Sequence, residues 1–311
     1  MILEELHRFR DHLSPLAAGD PPPDQHAAFL GFYHLNFRRE FPGLDYRVGS
    51  VPSGAFQLAT HCWRQPDAAA NLLIVHGYMD HSGLFGKLIR FGLEHRCNVV
   101  IFDLPGHGLS SGEAITIDDF GQYGDAVASV LAACGLPEHR WLALAQSTGG
   151  AALLEYARRY DWRFAGAALL APLIRPAGWR QMKWSSRLLR SFVKEVPRRF
   201  SVNSADDDFL AFQQADPLSA RRIPLSWIRA LDCWLASLAV ADLGVGPVLV
   251  VQGTADATVD WAWNLPCYRR FFPGSDTLMV PGAGHQLANE AETIQAQFLP
   301  KVADWLGVSA N

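Results

Sequence analysis

Short apolar runs alternate with longer amphipathic stretches along most of the chain after about residue 54. The short runs are continuous or half-alternating in apolar residues, and their lengths favour strands; they are residues 56–63, 71–75, 98–102, 141–145, 166–170, 247–251 and 277–280. Stretches between them, such as residues 117–134 after a capping Thr116, predict helices. This alternation predicts an α/β fold with a mostly parallel central sheet and helices on both faces.

Two parts of the chain break this alternation. Residues 1–48 predict an N-terminal helical extension of two helices, separated by Gly19-Asp20-Pro21-Pro22-Pro23 and packed on the core. Residues 173–246 separate two strand-like runs and are too many for one crossover helix. Their apolar and aromatic residues at helical spacing predict an α-helical cap at 175–243, inserted into a core formed by residues 49–174 and 244–311. We expect most of these aromatics to form the cap's own core and a few to bind substrate.

A serine lies where a strand-like run gives way to a helix-like run, in Ala145-Gln146-Ser147-Thr148-Gly149. A sharp turn of this kind presents the serine hydroxyl to solvent and needs small residues two positions before and after it, here Ala145 and Gly149. Thr148 follows at the helix N-terminus, where an unpaired backbone N–H faces a developing oxyanion. For the pentapeptide alone, an ordinary N-cap serine is the alternative.

An acid and a histidine follow in order, each beyond a strand-like run. Asp256 comes after residues 247–251, and His285 ends Pro281-Gly282-Ala283-Gly284-His285 after residues 277–280. Loops at the carboxyl ends of parallel strands carry the chemistry of such sheets. Asp260 is a second candidate for the acid, although it precedes a helix predicted from Trp261 and is expected to cap it.

Four spaced blocks carry a resemblance to a known family. They are His76-Gly77-Tyr78-Met79-Asp80-His81-Ser82-Gly83, residues 102–112 (FDLPGHGLSSG), Gly253-Thr254-Ala255-Asp256 and Gly282-Ala283-Gly284-His285. From about residue 50 to 311 the chain resembles α/β-hydrolases, closest to the monoacylglycerol lipase and lysophospholipase branch. The resemblance implies the α/β-hydrolase fold, a Ser147, Asp256, His285 triad in the family's chain order, and an oxyanion hole formed by the N–H groups of Tyr78 and Thr148. The family usually has Gly-His-Ser-Met-Gly at the serine, from which this chain departs.

The predicted function is hydrolysis of carboxylic esters, of acylglycerol or lysophospholipid type, through an acyl-enzyme and without a cofactor. Three alternatives stay open. A peptidase similar to proline iminopeptidases needs acidic groups for a free amine, which Asp206-Asp207-Asp208 would supply. Acyl transfer to another alcohol needs a drier site, and a non-catalytic small-molecule receptor on the same fold needs no triad.

Composition narrows the class of protein. With 311 residues, a net charge of −4 and a pI near 6.2, the chain has no basic footprint for nucleic acid. Five scattered cysteines predict buried thiols in a reducing compartment, and the N-terminus lacks the pattern of a signal peptide, so we expect a cytoplasmic protein. His76 and His81 lack the spacing of zinc ligands, so no metal is expected. His107 is predicted to be structural.

Basic residues in the predicted cap allow two interpretations. Lys183, Arg187, Arg190 and Lys194 recur at three- and four-residue spacing on one helical face. They form either a solvated surface or an interfacial helix that contacts anionic lipid or a phosphate head group. The expected partners are therefore a small-molecule ester and, through the cap, a membrane surface bound peripherally.

Overall fold

The computed structural model describes residues 2–16, 26–189 and 192–309, and all structural statements below concern these residues. The predicted Gly19-to-Pro23 separator and Arg190 lie outside them. Strands and helices follow one another in this order: α1 (Ile2–Asp11), α2 (His26–Phe32), β1 (Asp45–Ser53), β2 (Phe56–Arg64), β3 (Ala70–Val75), α3 (Gly86–Glu94), β4 (Cys97–Phe102), α4 (Gly121–Ala133), β5 (Trp141–Gln146), α5 (Thr148–Arg159), β6 (Phe164–Leu170), α6 (Trp179–Leu189), β7 (Glu195–Pro197), α7 (Asp207–Ala215), β8 (Arg222–Pro224), α8 (Leu225–Ser237), β9 (Leu249–Gly253), α9 (Trp261–Phe271), β10 (Asp276–Val280) and α10 (Glu292–Leu306).

Eight strands form one sheet in the order β1-β2-β4-β3-β5-β6-β9-β10. β2 is antiparallel to both β1 and β4, and all other neighbouring pairs are parallel. The predicted α/β class with a mostly parallel sheet is therefore confirmed. The apolar pattern did not reveal β1, whose sequence is interrupted by Gly49 and Pro52, residues that strands disfavour.

Successive residues of the central strands pack on opposite faces of the sheet. In β3, Leu73 and Val75 belong to a core shared with α4, α5 and α8, whereas Leu72 and Ile74 belong to a second core shared with α1, α2, α3 and α10. The two-residue period of a strand accounts for this division, and burial on both faces accounts for the continuous apolar runs in the sequence. No helix within the described ranges is long and apolar enough to cross a membrane.

Two local predictions were wrong. α4 begins at Gly121 rather than at residue 117; Asp119 accepts a hydrogen bond from the Gly121 N–H at 2.7 Å, and the Thr116 hydroxyl instead contacts Ser226 at 2.8 Å. Of the five cysteines predicted to be buried, Cys233 is exposed and Cys267 is half-buried. A cysteine's burial depends on which helix face meets the core, which spacing alone left undecided.

The inserted region, residues 175–243, contains α6, α7, α8 and an antiparallel pair formed by β7 and β8. It is thus not purely helical. α8 lies on the core: the indole N–H of Trp227 donates to the Tyr123 hydroxyl at 3.0 Å, and that of Trp234 donates to Glu155 at 2.7 Å. α6, in contrast, has no fully buried residue. Its aromatic and apolar residues therefore do not form a closed core of their own.

A buried hydrogen-bonded junction joins the N-terminal extension, the loop after β3 and the inserted region. The Asp216 carboxylate accepts from the Tyr33 hydroxyl at 2.7 Å and from His81 Nε2 at 2.7 Å. All three side chains are buried. Burial raises the pKa of Asp216, but His81 and the donated hydrogen bonds outweigh it, so its pKa is lowered overall. The residue is therefore held as a carboxylate between three parts of the chain.

Two buried histidines are kept neutral by the fold. His107, in the turn after β4, lies 2.9 Å from the carbonyl oxygen of Pro105, as expected for a structural residue of that loop. His61 of β2 lies 2.7 Å from the Tyr46 hydroxyl. Loss of water around the rings lowers the pKa of His107 to about 3 and that of His61 to about 4. Neither ring takes up a proton in the folded protein near neutral pH.

Removing the Tyr33 hydroxyl tests the buried junction. Tyr33→Phe takes a donor from a buried carboxylate, so we expect the free energy of unfolding to fall by about 1.5–3 kcal/mol, measured by urea unfolding. Tyr160→Phe is the matched control, because the Tyr160 hydroxyl also donates to an aspartate, Asp125, at 2.6 Å but on the surface. Its effect should stay within about 0.5 kcal/mol; equal losses in the two variants would contradict the junction's role.

The neutral state of His107 makes stability depend on pH. Below an unfolded pKa of about 6.5 the unfolded chain binds a proton that the folded chain does not, so stability falls as the pH is lowered toward the folded pKa. Between about pH 7 and about pH 5 this one group removes about 2 kcal/mol of stability. Over this pH range, we expect the free energy of unfolding of His107→Asn to fall by about 2 kcal/mol less than that of the wild type, as measured by urea unfolding at both pH values. His7→Asn, which changes an exposed histidine, should keep the wild-type dependence.

Candidate active site

Ser147 occupies the turn between β5 and α5 with φ 53° and ψ −114°, in the left-handed half of backbone space that a non-glycine residue seldom adopts. The backbone N–H of Ser147 donates to the Leu170 carbonyl at 2.9 Å, and its carbonyl accepts from the Leu173 N–H at 2.9 Å. These two bonds to β6 and the segment after it maintain the strained conformation. The side chain projects from the carboxyl end of the sheet.

The small residues around Ser147 are required by close packing. A Cβ atom added to Gly149 would lie 2.2 Å from the Val75 carbonyl oxygen, and one added to Gly150 would lie 2.6 Å from Pro172 Cβ. Ala145 is fully buried and pairs with Val75 in β3 and Leu169 in β6. The spacing of small residues in the sequence therefore reflects contact between α5 and the end of β3.

His285 lies between Ser147 and Asp256. Its Nε2 is 2.9 Å from the Ser147 hydroxyl oxygen, and its Nδ1 is 2.8 Å from Asp256 Oδ2. Because an ionised carboxylate only accepts hydrogen bonds, Nδ1 carries the proton and Nε2 is left to accept the serine proton. The structure thus brings together the three residues that the sequence predicted, from loops after β5, β9 and β10.

Asp256 is held in the ionised form. Burial raises its pKa, but hydrogen bonds from His285, the Gln252 amide and the Thr258 N–H outweigh burial, so its pKa is lowered. The other candidate acid, Asp260, is bound elsewhere: its carboxylate accepts from the Arg175 guanidinium at 2.5 and 3.1 Å. Asp260 does precede α9, but its side chain makes no capping hydrogen bond, contrary to the prediction. The ion pair with Arg175 replaces the cap.

The loop after β3 passes directly over Ser147. A Cβ atom added to Gly77 would lie 2.9 Å from Asp80 Oδ2 and 3.2 Å from Ser147 Cβ, so glycine favours this close approach. His76 accepts a hydrogen bond from the Leu104 N–H at its Nε2, at 2.9 Å, which links this loop to the one after β4. Tyr78 and Thr148 both line the cavity at Ser147, and no hydrogen bond among the described residues uses their backbone N–H groups. Both predicted oxyanion donors are thus beside the serine.

Two buried polar residues hold the loop that carries His285. The Gln146 amide donates to the His285 carbonyl at 2.8 Å and accepts from the Ala288 N–H at 3.2 Å. The Glu290 carboxylate accepts from the Gly284 N–H at 2.7 Å and from the Ala205 N–H, in the inserted region, at 2.7 Å. Gln146, which stands where the resembling family usually has histidine, therefore fixes the loop of the predicted base. The sequence marked it only as a departure.

A cavity of about 330 Å³ opens above Ser147 and His285. One wall comes from the sheet loops, and the other comes from the inserted region, including Met182, Leu189, Ile223 and Trp227. The Tyr78 ring stacks on Trp227 with centroids 3.8 Å apart, which joins the two walls. The predicted aromatic contribution of the inserted region to the pocket thus includes Trp227 and Phe200, whereas Trp184 and Phe192 are exposed.

Charged and amide groups lie at one part of this cavity and were missed by sequence reasoning. Asp80 accepts from the Gln213 amide at 3.1 Å and from the Gln286 amide at 3.0 and 3.2 Å. Arg198 lines the same cavity. Asp80 lies within the block from His76 to Gly83, and Gln286 directly follows His285, so the motifs could have indicated both. Gln213 and Arg198 lie in the inserted region, where no motif identifies them.

Other predicted polar groups lie away from the cavity. Asp206 caps α7 through the Phe209 N–H at 2.9 Å and binds Lys87 at 2.6 Å, while Asp207 and Asp208 are exposed. None of these three aspartates lines the cavity. Over the described part of the chain, no three His, Cys, Asp or Glu side chains are grouped so as to hold a metal ion.

Comparison with known proteins relates the chain to one family. The Hydrolase_4 family model, described as serine aminopeptidase, S33, matches residues 66–292. Phospholipase YtpA of Bacillus subtilis (strain 168) is 26% identical over 208 residues, covering 64% of this chain and 80% of YtpA. The alpha/beta hydrolase domain-containing protein aho-3 of Caenorhabditis elegans is 23% identical over 253 residues; the match covers 79% of this chain but only 60% of aho-3.

The fold also matches solved structures. The crystal structure of a monoacylglycerol lipase from Paleococcus ferrophilus superposes with a TM-score of 0.69 at 21% sequence identity, covering 81% of this chain and 99% of that one. At this identity the likeness concerns the fold alone. It supports the α/β-hydrolase fold.

Proposed function

The chain belongs to the Hydrolase_4 family of α/β-hydrolases, and from that membership we propose that it hydrolyses carboxylic esters with Ser147 as nucleophile. The observation that carries the proposal is the continuous hydrogen-bonded line from the Ser147 hydroxyl through His285 to Asp256, at 2.9 and 2.8 Å. Hydrolases and lipases among its relatives and structural neighbours support the same class of reaction. An acyl group of acylglycerol or lysophospholipid type fits the largely apolar cavity wall.

In the proposed mechanism, His285 Nε2 takes the Ser147 proton as the serine oxygen attacks the ester carbonyl. Asp256, held ionised, stabilises the imidazolium and keeps Nδ1 protonated. The N–H groups of Tyr78 and Thr148 would receive the oxyanion, each contributing about 2.7–4 kcal/mol of transition-state stabilisation. His285 then protonates the leaving alcohol, and a water molecule attacks the acyl-enzyme by the same route.

Peripheral contact with lipid is a second proposal, in a form that differs from the basic face predicted from sequence. Lys183 and Arg187 both bind Asp232 of α8, at 2.5 and 2.9 Å, so they are not free to meet anionic lipid. Arg190 lies outside the described residues. The exposed apolar side chains are the stronger support: Trp184, Leu188 and Phe192 are 67%, 52% and 84% exposed.

The position of these side chains connects them with the cavity. Met182 and Leu189 of the same helix line the cavity, while Trp184 and Leu188 point outward from it. α6 has no buried residue, and transfer of apolar side chains of this size from water into an acyl layer is favourable. The proposed lipid-contacting surface, formed by Trp184, Leu188 and Phe192, would thus place the cavity wall at a membrane that holds acyl substrates.

Labelling of Ser147 tests the proposed reaction. We expect a fluorophosphonate to label the wild type, and Ser147→Ala to abolish labelling and to lower hydrolysis of p-nitrophenyl esters by a factor on the order of 10⁴ or more. Ser186→Ala is the control, because this serine also lines the cavity but, within the described ranges, its hydroxyl bonds the Lys183 carbonyl and no other group. Labelling that persists in Ser147→Ala would refute the assignment. Faster turnover of an amino-acid anilide than of any ester would favour a peptidase instead.

Vesicle binding tests the lipid-contacting surface. We expect the wild type to co-sediment with phosphatidylcholine vesicles. The double variant that carries both Trp184→Gln and Phe192→Gln should have a bound fraction lower by about tenfold or more, because each change removes a large apolar contact. Leu3→Gln, which alters a partly exposed apolar residue of α1, serves as the control. Binding that is unchanged in the double variant would rule this surface out.

A further inference from the structure

Arg198 lies at the wall of the cavity. It directly follows β7, and its backbone N–H donates to the Arg221 carbonyl at 2.9 Å, which continues the pairing of β7 with β8. The side chain lies over the Phe200 ring, with 4.3 Å between the guanidinium carbon and the ring centroid. Both side chains line the cavity that contains Ser147. The guanidinium is thus positioned by the hairpin and by an aromatic face.

The hydrogen-bonding capacity of this guanidinium is largely unused. A guanidinium has five N–H donors in a planar fork. In the described part of the chain, only Nη1 has protein acceptors: the carbonyls of Met79 and Ala220 at 3.4 and 3.3 Å and the Ser219 hydroxyl at 3.5 Å. These contacts are long and involve neutral groups. Among the described residues, no carboxylate lies within 4.0 Å of Arg198, and Nε and Nη2 have no acceptor. The aromatic ring covers a face and leaves the N–H edge open.

The neighbouring carboxylates are bound by other groups. Asp80 accepts from the amides of Gln213 and Gln286, and Asp216 is held by Tyr33 and His81. Burial lowers the pKa of Arg198, as does the neighbouring Arg221 charge, while the charges of Asp80 and Asp216 oppose that effect without cancelling it. A half-buried positive charge therefore faces the cavity with incomplete compensation. Such a group gains most from an anion that meets its open edge.

We propose that Arg198 binds an anionic group of the substrate, a carboxylate or a phosphate, so that the preferred substrates are esters with a negative charge away from the scissile bond. The inference rests on the proposed ester hydrolysis and names its substrate class. Carboxylate and phosphate both present paired oxygens that match the guanidinium fork.

Matched ester pairs test this specificity and identify the part of the substrate that bears the charge. For the acyl side, we compare the p-nitrophenyl ester of suberic acid, which keeps one free carboxylate, with the same compound capped as a methyl ester. For the leaving-group side, we compare 1-acylglycerol 3-phosphate with 1-acylglycerol. We expect the wild type to have a kcat/KM at least about tenfold higher for the charged member of one pair.

Variants at position 198 separate charge recognition from general damage. Arg198→Gln should remove the preference for the charged ester while leaving the neutral ester within about threefold of the wild type, and Arg198→Lys should retain part of the preference. Arg229→Gln makes the same change in net charge at an exposed position of α8 that does not line the cavity, and it should behave as wild type. Thermal unfolding of each variant checks that it is folded at the assay temperature.

The outcomes distinguish this inference from the proposed function. Equal kcat/KM for charged and neutral members of both pairs in the wild type overturns the role of Arg198. The same conclusion follows if Arg198→Gln lowers both members of the preferred pair equally, or if Arg229→Gln abolishes the preference. Hydrolysis of none of the esters, with no fluorophosphonate labelling of Ser147, refutes the proposed function itself.

Discussion

Ser147 has a positive φ in the turn between β5 and α5, and the geometry of the site depends on the space that this turn requires. Its amide and carbonyl are both bound to the β6 side of the sheet, so the strained turn cannot relax. α5 then begins in contact with the end of β3, where a Cβ atom at Gly149 would overlap the Val75 carbonyl. The same crowding recurs at Gly253, whose added Cβ would lie 2.4 Å from the Ala283 carbonyl. Small residues at strand ends therefore bring the loops carrying Ser147, Asp256 and His285 within hydrogen-bonding distance.

Buried polar groups convert this proximity into a defined arrangement. Gln146 and Glu290 satisfy backbone groups of the His285 loop, and Asp216 joins the loop after β3 to the N-terminal extension and the inserted region. Burying any of these side chains without its partners would destabilise the folded protein, so the loops adopt the one arrangement that satisfies all of them. Gln146 and Glu290, which lie far apart in the chain, thus both hold the loop that orients the His285 ring.

The inserted region determines the character of the cavity. α8 is fastened to the core through the indole N–H groups of Trp227 and Trp234, whereas α6 lies on the outside with no fully buried residue. The region adds an apolar wall and two arginines, Arg198 and Arg199, to the lining of the cavity. The sheet loops thus carry the proposed catalytic residues, while the insertion supplies the apolar wall of the cavity and Arg198. Relatives that share the sheet need not share a substrate.

The sequence by itself determined the class of the sheet, because buried parallel strands require continuous apolar runs that alternate with helices. It also indicated Ser147, Asp256 and His285, since motifs at strand ends place chemistry at one edge. It could not reveal β1, the start of α4 or the exposure of Cys233, which depend on packing partners distant in the chain. Only the tertiary structure paired Asp260 with Arg175 and placed Asp232 between Lys183 and Arg187. It also left Arg198 without a carboxylate partner among the described residues. The sequence gives the charge of each side chain, but the fold determines which oppositely charged group lies beside it.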